Sequence, residues 1–222
     1  MAFLFVSLNY TNGALRKKGG KRYMNYFTSD MHFFHERLLG KNDFAPRLFA
    51  NVDEMNQQLI TSWNAVIKET DHVYHLGDLA MHPQYEKANA EILELVTQLQ
   101  GTIHLIKGNH DSRAFFRYLE KNDPRLTDGS PKFYFYDVGA IVKFDHQQYY
   151  LTHYPMLLGP NDTIRNLHGH IHHYSVPIEN DVNVGVDAPE RELLKEKLPF
   201  GTPLSEQQIK EIYEAKRKYD RS

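Results

Sequence analysis

The chain has 222 residues, no cysteine, and 26 basic against 28 acidic residues, for a formal net charge of -2. That composition excludes a disulfide framework, a thiolate metal site and a cysteine nucleophile, and it lacks the basic excess of a general nucleic-acid or anionic-membrane binder. No apolar run approaches the roughly 20 residues needed to span a bilayer.

Residues 1–23 hold five basic side chains (Arg16, Lys17, Lys18, Lys21, Arg22), no acidic one, and Gly13, Gly19 and Gly20. They offer little to bury, so a disordered or loosely attached extension is expected ahead of a single domain over 24–222. The short apolar stretch at 2–8 precedes its positive charges, the reverse of a secretory signal, and a cytoplasmic location is expected. From there strands and helices alternate. Tyr26-Phe27-Thr28 reads as a strand. Val52, Met55, Leu59, Trp63 and Val66 recur at steps of three and four, one face of a helix over 52–67, with Asn51 and Glu54 as its capping box. A strand follows at 72–76, a helix at 84–99 stopped by Gly101, a strand at 103–106 and a helix at 113–121. The second half is mostly strands, at 133–137, 140–144, 148–152, 164–167 and 182–186, before a closing helix at 205–219 that turns Ile209, Ile212 and Tyr213 inward. Helices between strands first, then strand after strand, point to a mixed α/β sandwich and not a Rossmann sheet.

The 13 histidines are not scattered at random. Five clusters share one design, in which a strand runs out, a small residue bends the chain, and metal-competent side chains follow. They are Asp30-Met31-His32, Gly77-Asp78, Gly108-Asn109-His110-Asp111, Thr152-His153 and Gly169-His170-Ile171-His172. If the strand pleat continues, Asp30 and His32 point to one face while Met31 points away, and His170 and His172 repeat the pattern. Carboxylate, amide oxygen and imidazole without sulfur suit Mn, Fe, Zn or Ni. By residue type alone, Asp30 and Asp78 also fit caps or turns, Asn109 a turn, and His153 a buried hydrogen-bonded histidine. Asp111 reads as structural, orienting its loop or capping the next helix. His75, His104 and His168 read as packing or supporting residues.

The ordered set D-x-H, G-D, G-N-H-D, H, G-H-x-H resembles the calcineurin-like metallophosphoesterase superfamily over roughly residues 24–190. The resemblance implies an α/β (α+β) fold, a four-layer αββα sandwich of two mixed sheets flanked by helices. It assigns Asp30, His32 and His172 to one metal and Asn109, His153 and His170 to a second, with Asp78 bridging and His110 as an acid–base residue. Two divalent ions are implied, Mn first, with Fe, Zn or Ni also suited. The implied reaction is phosphoester hydrolysis by a bridging hydroxide in a dinuclear site, which acidifies bound water and offsets phosphoryl charge. Arg113 and His35 are candidate substrate contacts, though Arg113 also fits a solvated or ion-paired arginine. A phosphodiester or nucleotide is slightly favoured, as the small phosphorylated partner of a compact chain without a cap domain. A phosphomonoesterase is the alternative, and a non-catalytic metal-binding scaffold the less favoured one. Asp78 is followed by Leu79-Ala80-Met81, unlike the extended G-D-x-V-D-R-G motif of the phosphoprotein phosphatases, which discounts that branch. No membrane partner or strong nucleic-acid surface is expected, and the sequence leaves the oligomeric state open.

Overall fold

The computed structural model describes residues 16–18, 21–81, 87–159 and 161–219. The expected extension over 1–23 lies outside them up to residue 15 and at 19–20. Within it, β1 (Arg16–Lys18) and β2 (Lys21–Tyr23) pair as an antiparallel ribbon that joins neither larger sheet.

The first large sheet is built from β3 (Asn25–Thr28), β4 (His72–His75), β5 (Thr102–Ile106) and β6 (Phe133–Tyr136), all parallel, with β11 (Leu204–Ser205) antiparallel along β3. Parallel neighbours need crossovers. α1 (Val52–Val66), α2 (Ala88–Val96) and α3 (Arg113–Lys121) supply them. Strand alternation divides the core in two. Tyr26, Val73 and Leu105 face the three helices, while Phe27, Tyr74 and Ile106 face the second sheet. That sheet runs β10 (Asp181–Asn183), β9 (Ile164–His168), β8 (Gln147–Thr152), β7 (Gly139–Phe144), with only the β7–β8 pair antiparallel. α4 (Glu206–Tyr219) touches β3 and β11 of one sheet and β10 of the other, and buries Ile209, Ile212 and Tyr213. Two mixed sheets with flanking helices are therefore what the chain forms. Among the described residues no helix is long and apolar enough to cross a membrane.

The local signals held where one face is buried. Asn51 caps α1 by accepting the Glu54 N–H at 2.8 Å, and Glu54 reaches back to the Ala50 N–H at 2.9 Å. α2 is shorter than the periodicity predicts, and residues 84–86 of the expected helix lie outside the described ones. β10 ends at Asn183 and not at 186, because the chain there leaves the second sheet for the first. The Val184 N–H still bonds His168 O, while the Val186 N–H bonds Ser29 O, and Gly185 bridges Ser29. That crossing ties the two sheets together at the end where the clusters lie.

Asn51→Ala should lower the unfolding free energy by about 1 kcal/mol, and Leu59→Ala, which empties a fully buried position, by about 2–5 kcal/mol. Urea unfolding of the two variants reads both. Equal stability of the Asn51→Ala variant and the parent would mean that the cap contributes nothing.

Candidate metal centre

β3, β4 and β5 end at Thr28, His75 and Ile106, and β8 and β9 at Thr152 and His168. Parallel pairing aligns these carboxyl ends within each sheet, so all five clusters emerge at strand ends, where open α/β sheets place their ligands. The loops after β3 and β4 are also zipped together. The Asp30, His32 and Phe33 N–H groups donate to the carbonyls of Gly77, Asp78 and Leu79 at 3.0, 3.1 and 3.0 Å.

A continued strand pleat is not what aims these side chains, which corrects the sequence expectation. Both strands have already ended before Asp30 and His170. Asp30, His32, His170 and His172 sit at φ of 58, 50, 73 and 46°, and Asp78 at 56°, all in the left-handed region. Alternating left-handed residues turn Asp30 and His32, and His170 and His172, to a common side past the sheet's edge. Each such residue stores of order 1–3 kcal/mol of strain, which persists only where the surroundings hold it.

Among the described residues three groups of side chains result, each with ligand atoms within 4.8 Å of one another: Asp30, His32 and His172; His32, Asp78 and His110; Asp78, His153 and His170. Both carboxylates are anchored by one oxygen and aimed by the other. Asp30 Oδ2 accepts the His170 N–H at 2.9 Å, while Oδ1 lies 4.0 Å from His32 Nε2 and 3.9 Å from His172 Nε2. Asp78 Oδ1 accepts the His110 N–H at 2.8 Å, while Oδ2 lies 3.6 Å from His32 Nε2 and 3.5 Å from His153 Nε2. Asn109 Oδ1 is 2.8 Å from both His153 Nε2 and His170 Nδ1.

These donors fit a cation. Among the described residues Asp30 Oδ1 and His32 Nε2 are buried with no hydrogen-bond partner. His153 donates its Nδ1–H to Leu76 O at 2.8 Å, which leaves an Nε2 lone pair facing the Asn109 oxygen. Opposed lone pairs are stabilised by a shared positive ion, and the second ring nitrogen of a metal-binding histidine is ordinarily tied up in this way.

A family model described as calcineurin-like phosphoesterase matches residues 26–213, most of the chain and all five clusters. The chain belongs to the calcineurin-like phosphoesterase family. It is 37% identical over 138 residues to an uncharacterized protein of Methanocaldococcus jannaschii, covering 60% of this chain and 74% of that one. It is 33% identical over 86 residues to the Gene 66 protein of Mycobacterium phage L5, covering 39% of each. A crystal structure of a protein of unknown function from Aquifex aeolicus superimposes with a TM-score of 0.59 at 23% identity, over 86% of this chain and 100% of that chain, which speaks to the fold alone. Family membership and the His/Asp groups together support metal-dependent hydrolysis of a phosphoester.

The surrounding residues separate into those that support this phosphoesterase centre and those that stand apart. Asp111 fulfils its structural reading: Oδ2 accepts the Asp78 and Gly108 N–H groups at 2.8 and 2.9 Å, and Oδ1 the Leu79 N–H at 3.2 Å. The cap of α3 is Ser112 and not Asp111. His35 lies beside the centre, with Nδ1 3.2 Å from His32 Nδ1, and burial with the nearby His110 pushes it down to about 4. Arg113 is engaged elsewhere, paired at 3.0 Å with Asp137 on the surface, the ion-paired alternative. His75 and His168 are buried behind the site, and His104 stacks between Tyr74 and Tyr134. Sequence reasoning missed Arg47 and Asp187. The buried Arg47 pairs with Asp187, and Asp187 Oδ2 accepts the His172 Nδ1–H at 2.9 Å. Burial pushes Asp187 up, but Arg47 and that N–H outweigh it and hold it at about 2. Nothing in the sequence marks either residue except their position in loops beside the motifs.

The glycines of the motifs now have a physical reason. A Cβ on Gly108 would collide with the Asp78 carboxylate, and one on Gly169 with Ser29 Oγ and the Asp30 carboxylate. Gly108→Ala and Gly169→Ala should each weaken Mn2+ binding at least about tenfold, the lower end of what is lost when a ligand's support is disturbed, while the circular dichroism spectrum stays that of the parent. Calorimetric titration checks this, and parental affinity in both variants would show that the close approach does not position the carboxylates.

Proposed function

We propose that the chain seats two divalent ions that share Asp78 and uses them to hydrolyse a phosphoester, a phosphodiester or nucleotide in preference to a monoester. Asp30 Oδ1, His32 Nε2 and His172 Nε2 would hold one ion. Asn109 Oδ1, His153 Nε2 and His170 Nδ1 would hold the other. One observation carries the reading: Asp78 Oδ2 stands 3.6 Å from a nitrogen of the first set and 3.5 Å from a nitrogen of the second, with its other oxygen occupied by a backbone N–H. That arrangement supports Asp78 as the residue that both ions would share. Mn2+ is the first choice, with Fe, Zn or Ni also compatible with an all-O,N donor set. Two such ions supply Lewis acidity for the phosphoryl oxygens and lower the pKa of water.

The chain's own groups do the rest. Asp30 and Asp78 would offset the mutual repulsion of two cations held side by side. His110 is exposed at the rim, its ring centroid 5.1 Å from that of His32, so it can reach a leaving oxygen. An imidazole there gives its ring proton to the departing alkoxide, a role for which histidine is suited. His35 is neutral near pH 7 and braces His32 through the Nδ1–Nδ1 contact. Phe44, 45% exposed, and Tyr154, 52% exposed, stand against His172 and His170 at centroid distances of 4.4 and 4.5 Å. These two aromatic rings at the mouth favour an ester carrying an organic group on both sides of phosphorus, and stacking on a base is sequence-tolerant and favourable by about 1–3 kcal/mol.

Asp78→Ala should release both ions, and His110→Ala should lower Mn2+-supported turnover of a diester with an alkoxide leaving group about 100-fold or more at unchanged ion content. A panel of monoesters, linear diesters and cyclic nucleotides under one metal condition separates the substrate classes. No turnover with Mn, Fe, Ni or Zn would favour a scaffold instead.

Acidity provides an independent test. Burial, with the charge of Asp78, raises Asp30 well above the ordinary carboxylate range. Burial lowers His32, His153 and His170 below the usual imidazole value. The ion-free site therefore prefers a protonated Asp30 and neutral imidazoles, so an incoming cation competes with a proton on the carboxylate. Apparent Mn2+ affinity should rise with pH, with proton release visible as different binding enthalpies in PIPES and Tris. Identical enthalpies in the two buffers would contradict it.

A further inference from the structure

We propose that Arg47 and Asp187 are positioning residues that fix the tautomer of His172 and thereby tune one of the two ion seats without touching the other. The proposal rests on the reading of His172 as an ion ligand, but its geometry stands by itself. The side chain of Arg47 is 0% exposed and that of Asp187 7%. The guanidinium uses all of its nitrogens. Nε donates to Asp187 Oδ1 at 3.1 Å, Nη2 to Asp187 Oδ2 at 2.7 Å and to Asp30 O at 2.6 Å, and Nη1 to Met31 O at 2.7 Å. Asp187 Oδ2 also accepts the His172 Nδ1–H. A closed ring of contacts results: from the backbone of Asp30 through Arg47 and Asp187 to His172, whose Nε2 lies 3.9 Å from the Asp30 carboxylate.

A buried ion pair is a weak source of net stability, since the desolvation of both charges offsets most of their attraction. Its position, not its energy, explains what it does here. A neutral imidazole carries its proton on either nitrogen. With a carboxylate at Nδ1 the proton stays there, and Nε2 turns its lone pair toward Asp30. Without that carboxylate the ring can place an N–H against the seat. The same fork holds the carbonyls of Asp30 and Met31, which clamps the left-handed Asp30. In the second seat His153 takes its orientation from a different partner, the Leu76 carbonyl. Asp187 therefore bears directly on the first seat, through His172.

The test uses the full chain and two readouts. In the metal-free parent, long-range 1H–15N NMR should find His172 protonated at Nδ1. A parent His172 protonated at Nε2 would overturn the proposal without any variant. In Asp187→Asn, which keeps the side chain's shape, the Nδ1–H preference should weaken. Mn2+ titration followed by EPR should then show one ion bound as in the parent and the other weakened about 10–100-fold, the usual effect of losing a second contact behind a metal-bound histidine. Parental tautomer and parental affinity for both ions in a folded Asp187→Asn protein would refute it, and so would equal weakening of both ions. A parent that binds no Mn2+, yet shows the Nδ1–H tautomer, would instead remove the two-ion reading and leave the orienting role of Asp187 in place.

Discussion

Asp30 and Asp78 lie 0% and 2% exposed within reach of one imidazole, His32, and most of the surrounding architecture follows from keeping two carboxylates there. Burying an unpaired charge is expensive, and burying two together adds repulsion. The chain answers by dividing each group's two oxygens between different tasks. One oxygen accepts a backbone N–H from another motif, His170 for Asp30 and His110 for Asp78. The other faces imidazole nitrogens, and burial lowers two of those imidazoles, His32 and His153, below their usual value. A cation is the species that such a set of donors stabilises best.

Holding those donors in place requires strained backbone and absent side chains. Five of the residues concerned are left-handed without being glycine, and two motif glycines allow the carboxylates their approach. The restraints that stabilise this arrangement come from outside the motifs as well as within them. Asp111 gathers three backbone N–H groups under Asp78, Arg47 grips two carbonyls under Asp30, and Asp187 joins Arg47 to His172. Each works through a neighbour and not by facing the centre itself, so the cluster's geometry depends on residues that touch no ligand atom of the opposite set.

Much of this was legible beforehand, for a local reason. Val52, Met55, Leu59 and Trp63 face the core because helical periodicity puts them there, and Asn51 caps because its side chain reaches the third N–H onward. The five clusters were recognisable because each follows a strand end and carries chemistry-bearing residues at short spacing. Arg47 was not legible, since an arginine in a loop carries no sign that it will be wholly buried. Arg113 was open to two readings, a phosphate contact or an ion pair, and only the fold placed Asp137 beside it.

By itself, the sequence determined which metal-competent side chains follow the strand ends, which segments are strands or helices, and the family those features belong to, because all of that is encoded within a few residues of each position. Only the tertiary structure decided that the clusters meet, that Asp78 Oδ2 stands between His32 and His153, and that left-handed turns and not the strand pleat aim Asp30 and His32. Those features depend on two sheets packing with their strand ends aligned and on contacts between residues more than a hundred positions apart, such as His170 N–H with Asp30. Short-range pattern holds no record of them.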